Sequence, residues 1–340
     1  MDASLKKVKE YLDRFDQAID GVRAGHKVEK LASGIFILHP KCQKSPNVGL
    51  VSGKDVALTV SALIHGVEVA GLAVIVELLE LVTRGHLQLP FALGIALGNI
   101  EAALKSRRFV ERDLNRSFGR MQASLAEEKR ADELESLFTR TAHLLDIHQV
   151  KLQIDRPFWI FPYTVRGYKF ARAIAPEVSL ITHWGRGFSK DGQCSDEWVN
   201  SQGGTGITIE LGQNGFEAGQ IANGISLCRR AIEVCATLEK SASQQSSALK
   251  QAPLYTWGEI IPYPPTGKPV LNPGWHNFKT VRAGEVLGVF NDVEIRAQVS
   301  GPVLFPKYPD AYPNGPYGDA PPAAELVRIL KEISEEDLPK

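Results

Sequence analysis

The chain has 340 residues, 44% hydrophobic and 23% charged, with 39 basic side chains against 39 acidic ones. That suits one large and one small folded domain around a buried core. Net charge of zero argues against a nucleic-acid partner. No apolar stretch reaches the roughly 20 residues a membrane span needs, and no signal-peptide pattern opens the chain. With four cysteines in no CxxC spacing, the expectation is a cytoplasmic protein.

Residues 1–23 carry Leu5, Val8, Tyr11, Leu12 and Phe15 at helical spacing, with Gly25 as the stop. From about 34 to 240 strand and helix patterns alternate. Gly34–His39 reads as a strand, and Asp55–Leu63 as a strand buried on both faces. Glu68–Thr83 is a predicted helix, Phe91–Leu97 a strand, Leu125–Thr141 a helix, Leu144–His148 a strand, Gly206–Leu211 a strand and Gly219–Leu238 a helix. Such alternation implies a layered α/β fold. Cys228 and Cys235 share a face of that last helix and read as buried apolar residues. Lys240–Ser247 is a polar linker. Beyond it Pro and Gly rise, and Val286–Phe290 and Val293–Val299 read as short strands of an all-β unit. Ala323–Ser334 reads as a closing helix. The expected organisation is an N-terminal helix (1–30), a catalytic domain (31–240), a linker (241–252), a β domain (253–321) and a terminal helix with its tail (322–340).

Four clusters carry chemistry. His65-Gly66-Val67-Glu68 lies between a strand and a helix, and an imidazole and a carboxylate three apart can share one Zn²⁺. Asp146-Ile147-His148 ends a strand and offers a third ligand, leaving a fourth position open for water, the pattern of a catalytic zinc. Asp146 is then a candidate partner for the His148 ring. The third cluster is Gly98-Asn99-Ile100-Glu101-Ala102 followed by Arg107–Phe118. The fourth, Thr208-Ile209-Glu210-Leu211-Gly212, sets a carboxylate in an apolar strand, where it is costly unless it is used. Arg107 and Arg112 read as solvated, and His143 and His183 as structural histidines.

In order and spacing, these clusters resemble the succinylglutamate desuccinylase/aspartoacylase family, signatures HGNE, GNPEA, R-x4-DLNR-x-F, D-[IL]-H and T-x-E-L-G, over roughly residues 50–320. The resemblance implies a three-layer zinc-carboxypeptidase-like fold with a mixed central sheet, plus a small C-terminal all-β domain. It makes His65, Glu68 and His148 the ligands of one Zn²⁺. Glu210 is similar to the glutamate that activates the water, and Arg108 to the arginine that polarises the scissile carbonyl. Asn115 and Arg116 are similar to the pair that holds a substrate carboxylate, with Asp113 orienting their loop. The implied activity is hydrolysis of an N-acyl amino acid, a small carboxylate-bearing substrate. A metallocarboxypeptidase acting on short peptides is the alternative, and homo-oligomerisation stays open. Val67 and Ile100 depart from the signatures. The segment after His148 does not align, which leaves Lys151, Arg156 and Tyr163 as candidates for substrate contact. The C-terminal unit faintly resembles a lipoyl-type half-barrel but has no lysine in its turn at 290–294, so a swinging arm is excluded and covering of the cleft is expected.

Overall fold

The structure is a computed structural model that describes residues 3–41, 53–185, 187–190, 192–237, 251–264, 267–308 and 325–340. The chain opens with α1 (Ala3–Arg23), then a hairpin of β1 (Val28–Ala32) and β2 (Ile35–Leu38). Next come β3 (Val56–Ala62), α2 (Ala70–Thr83), β4 (Leu93–Leu97), the short α3 (Ile100–Leu104), α4 (Ala126–Phe138) and β5 (Thr141–Val150). Residues 151–204, where the sequence pattern assigns nothing, form β6 (Phe158–Pro162), α5 (Val165–Ile174), β7 (Ser179–His183) and α6 (Ser195–Ser201). Then follow β8 (Thr205–Gln213) and α7 (Ala218–Thr237). The C-terminal part holds β9 (Leu254–Pro262), β10 (Val270–Leu271), β11 (Thr280–Val281), β12 (Val286–Phe290), β13 (Val293–Arg296), β14 (Gly301–Leu304) and β15 (Glu325–Ile333).

One large mixed sheet runs β1-β2-β4-β3-β5-β8-β6-β7-β9-β15-β14-β11, and β10-β12-β13 form a small antiparallel sheet. β3, β4, β5 and β8 are parallel, so the loops after β3, β4 and β5 leave from one end of the sheet. Every residue of β3 and β4 is buried, as expected of parallel strands covered on both faces. α1, α2, α5 and α7 bury Phe15, Leu72, Phe170 and Leu227 on one face. α4 and α6 bury Leu134, Phe138 and Trp198 on the other. The three-layer α/β fold is therefore present. Cys228 and Cys235 are both buried within α7. No helix among the described residues is long and apolar enough to cross a membrane.

One expectation fails. Residues 325–333 form a strand rather than the closing helix. β15 lies between β9 and β14, so both its edges are paired, and Leu326 to Leu330 are all buried, side chains of both faces included. A strand of that kind loses the two-residue alternation that would identify it. Arg328, buried at 2% exposure, sits where a polar helix face would be read. The linker at 240–247 lies outside the described residues, as does 309–324. β9 pairs with β7, so the C-terminal strands continue the large sheet.

Candidate metal centre

β3 delivers the first two candidate ligands. After Ala62 the backbone turns at Leu63, whose φ of 59° is left-handed. Such a conformation costs an L-residue roughly 1–2 kcal/mol and is held only by its surroundings. Leu63 O accepts from Asn99 N at 2.6 Å. The next turn presents His65 and Glu68 on one side. Gly66 is required there: a Cβ would stand 2.3 Å from Ala103 N and 2.6 Å from Arg107 O. Gly66 N donates to Arg108 O at 3.0 Å, which ties the His65 turn to the arginine segment. Ile100 opens α3 just after its cap, Asn99, whose side chain accepts from Ala102 N. A proline at that first position preorganises a helix but is not needed for one. The departure at Ile100 therefore leaves the turn intact.

His65, Glu68 and His148 are buried together, and their ligand atoms lie within 4.8 Å of one another. His65 Nδ1 is 2.7 Å from Glu68 Oε1, and His148 Nδ1 is 2.8 Å from Glu68 Oε2. The Nε2 atoms face other carboxylates: His65 toward Asp113 Oδ1 at 3.1 Å, His148 toward Asp146 Oδ2 at 3.0 Å. Each ring thus turns one nitrogen to the shared carboxylate and the other to a supporting one, the arrangement by which outer carboxylates orient metal-binding histidines. Asp146 in turn accepts from Ser61 Oγ at 2.5 Å and from Ser195 Oγ, the latter at the start of α6.

Charge agrees with this geometry. Burial alone would raise the Glu68 pKa, but His65 and His148 outweigh it and hold the carboxyl below its ordinary range. Burial opposes the charge on His148, yet Asp146 and Glu68 raise its pKa well above the ordinary value. Asp113 is likewise pushed up by burial and pulled further down by His65 and Arg108.

Glu210 enters from β8, where it is the register partner of His148 on β5. Its Oε2 atom is buried without a hydrogen-bond partner. Burial first, and the Glu68 charge second, raise its pKa to about 8. A carboxylate left so exposed to its neighbour's charge is the kind of group a nearby cation would satisfy. The donor set of two imidazoles and a carboxylate, with this orphaned oxygen beside it, fits Zn²⁺.

The third cluster wraps round the same centre. Arg108 Nη1 donates to Glu68 Oε1 at 3.0 Å, and its Nη2 and Nε contact Asp113 Oδ2 at 3.3 and 3.4 Å. Its Nη2 also lies 2.7 Å from His65 Nε2. That contact needs the tautomer with hydrogen on Nδ1; with a cation on Nδ1, the Nε2 hydrogen points to Asp113 instead. Asp113 caps the short helical turn Leu114–Arg116, accepting from Asn115 N at 2.9 Å. Asn115 Oδ1 accepts from Ser195 N at 2.9 Å, and Arg116 Nη1 donates to Cys194 Sγ at 3.2 Å.

Sequence reasoning missed one support of this loop. The Glu127 carboxylate of α4 is buried and accepts from Asn99 Nδ2 at 2.8 Å and from the backbone N–H groups of Val110, Glu111 and Arg112 at 2.6 to 3.1 Å. Its only sequence signal was an acidic residue in the first turn of an amphipathic helix. Arg107 is exposed, as expected. His143 packs on Phe170 and bonds Ala57 O, away from the cluster. His183 stacks on Trp257. Tyr163 lines a separate surface groove of about 540 Å³ with His183, Trp184 and Lys190; none of the cluster residues lines it.

Asp196 makes a stability prediction. Burial, then Glu197, raises its pKa to about 7. The folded state therefore holds a proton that the unfolded state releases near pH 4, and stability falls as pH rises from about 4 to about 7. Asparagine keeps both contacts, the acceptor for Glu197 N at 2.7 Å and the bond with Thr208 Oγ1 at 2.8 Å. Asp196→Asn should stabilise the protein by on the order of 4 kcal/mol at pH 8 and by almost nothing at pH 4. Denaturant melts at the two pH values check this, and equal shifts would contradict it.

A three-layer α/β fold with a buried His-Glu-His cluster that could hold a metal ion, at one end of its parallel strands, is by class the arrangement of a hydrolase. The catalytic-domain model of the succinylglutamate desuccinylase/aspartoacylase family matches residues 52–233, more than half of the chain, and the protein belongs to that family. A succinylglutamate desuccinylase of Burkholderia pseudomallei is 34% identical over 122 residues, 32% of this chain and 35% of that protein. The chain thus matches about a third of the length of such curated relatives. Among solved structures, a succinylglutamate desuccinylase from Vibrio parahaemolyticus superposes with a TM-score of 0.69 at 17% identity, covering 91% of this chain and 89% of the other. Murine aminoacylase 3 superposes with a TM-score of 0.62 at 17% identity, covering 83% and 97%.

Proposed function

We propose that the protein is a zinc-dependent hydrolase that cleaves the amide bond of an N-acyl amino acid. The observation that carries this reading is the orphaned Glu210 oxygen beside the buried His65–Glu68–His148 cluster, with two arginines of one loop at its edge. His65, Glu68 and His148 would hold the ion. When bound, Zn²⁺ supplies Lewis acidity and can bring the pKa of a water from about 15.7 to about 7.

The chain's own residues do the rest. Glu210 takes the proton from the attacking water and returns it to the departing amine, so one carboxyl serves as base and then as acid. Arg108, half-buried among the ligands, donates to the carbonyl oxygen as negative charge develops there. It must turn from its contact with His65 to do so. Asn115 and Arg116 hold the substrate carboxylate, Arg116 through its planar fork. Asp113 couples these roles, since one carboxylate touches His65, Arg108 and the turn bearing the clamp.

The test is hydrolysis of a panel of N-acyl amino acids and short peptides by zinc-loaded and chelator-stripped protein. Zinc-dependent release of amine from acyl amino acids is expected. Cleavage of peptides alone would transfer the protein to the metallocarboxypeptidase reading. Arg116→Lys should lower kcat/KM about tenfold to a hundredfold on free acids, the loss of one charged fork. Methyl esters of the same substrates should be little affected. Equal losses on acids and esters would remove Arg116 from the clamp.

A further inference from the structure

Phe188 and Arg328 lie outside every motif of the sequence, 140 residues apart, yet meet beside the clamp. Phe188 belongs to the loop between β7 and α6, and Arg328 to the buried strand β15. The Arg328 guanidinium carbon lies 4.3 Å from the centroid of the Phe188 ring and 4.2 Å from that of Trp257 on β9. Glu325 fixes it, with Nη2 to Oε1 at 2.6 Å, and Arg328 Nη2 donates to Phe188 O at 3.4 Å. The same Phe188 ring carries a second cation: the Arg116 guanidinium carbon is 5.2 Å from its centroid. A separate chain of bonds ties the two residues. Phe188 N donates to Glu197 Oε1 at 2.5 Å, Glu197 Oε2 accepts from Cys194 N at 3.0 Å, and Cys194 Sγ accepts from Arg116 Nη1.

We infer that Phe188, pinned by Arg328 of the C-terminal strand, is a positioning residue that sets the orientation of Arg116 toward a substrate carboxylate. The inference rests on the clamp reading of Arg116 and extends it: the C-terminal strands act on substrate binding through this ring. An arginine side chain has several rotatable bonds, and each one left free in the empty site must be frozen when substrate binds. An aromatic face holding the guanidinium reduces that loss without using the N–H groups the carboxylate needs. Neutral contact leaves the fork available; a second carboxylate in the same place would compete for it. The residue therefore affects binding of the acid and leaves the proton transfers of Glu210 untouched.

The experiment compares Phe188→Leu, Phe188→Tyr and Arg328→Lys on the best acyl amino acid of the panel and on its methyl ester. Phe188→Leu should raise KM for the acid about fivefold to tenfold, with kcat within about twofold, and leave KM for the ester unchanged. Phe188→Tyr keeps the aromatic face and should restore the acid KM. Arg328→Lys should fall between, because a compact ammonium cannot stack on two rings. Placed on Arg116→Lys, Phe188→Leu should add nothing further, as expected of residues acting as one unit. Additive losses, equal losses on acid and ester, or failure of tyrosine to rescue would overturn the inference while leaving the clamp standing. Indifference of the acid KM to Arg116→Lys would instead remove the clamp, and this inference with it. Should Phe188→Leu fold poorly, the Arg328→Lys comparison of acid and ester decides alone.

Discussion

Glu210→Gln should keep its zinc at one equivalent and lose about 10² to 10⁴ in kcat, the usual worth of a positioned general base. Glutamine has the same length and shape, so β8 and its pairing with β5 and β6 need not move. The His65, Glu68 and His148 donors stay in place, so metal content measured by elemental analysis should equal that of the parent protein. What disappears is the ability to accept and return a proton. The substitution also separates catalysis from folding. Glu210 holds its proton up to about pH 8 in the metal-free protein. Its native state binds a proton that the unfolded chain loses near pH 4, so stability falls as pH climbs from about 4 to about 8. Metal-free Glu210→Gln should therefore be as stable as the parent at pH 4 and more stable at pH 8. A variant that melts normally, carries zinc and is inactive assigns the loss to proton transfer. Substantial turnover by such a variant would end this mechanism.

The cluster could be read from sequence because its donors sit next to strong local signals. β3 and β5 are buried along almost their whole length, so the His and Glu residues at or just beyond their C-terminal ends stand out against apolar neighbours. Glu210 is legible for the same reason, a lone carboxylate in a buried strand. The supporting residues are not legible, because what they do depends on partners far along the chain. Ser195 reaches Asp146 across 49 residues, and Glu127 reaches the segment at 110–112 from α4. Phe188 lies in a stretch with no regular periodicity, and its partners Arg116 and Arg328 lie far from it on either side along the chain. The strand at 325–333 fails for another reason: a polar residue buried by two aromatic rings imitates the exposed face of a helix. A resemblance carries over motifs, but the side chains that aim them are set by packing particular to this chain.

Zinc binding should itself be visible without any substrate. In the metal-free protein both nitrogens of His148 face carboxylates, Glu68 at 2.8 Å and Asp146 at 3.0 Å, so the ring carries two hydrogens and a positive charge. A ligand nitrogen must be free of hydrogen to bind metal, so binding displaces that proton. At pH 7 titration calorimetry in buffers of different ionisation enthalpy should show about two protons released per zinc, one from His148 and one from Glu210, whose carboxyl is ionised when it serves as base. The affinity should rise about a hundredfold per pH unit while both groups stay protonated in the metal-free form. The bound ion also stabilises the fold by mass action. At a thousand times Kd the gain is about 4 kcal/mol, which for a chain of 340 residues raises Tm by about 6 °C. In His148→Ala that zinc-dependent rise should vanish when the variant is compared with its own metal-free form, which corrects for the cost of leaving Glu68 buried without its partner. An undiminished rise in His148→Ala would place the ion elsewhere. A full rise with only one proton released would mean that His148 is neutral before the metal arrives, and that Asp146 rather than a proton already orients the ring.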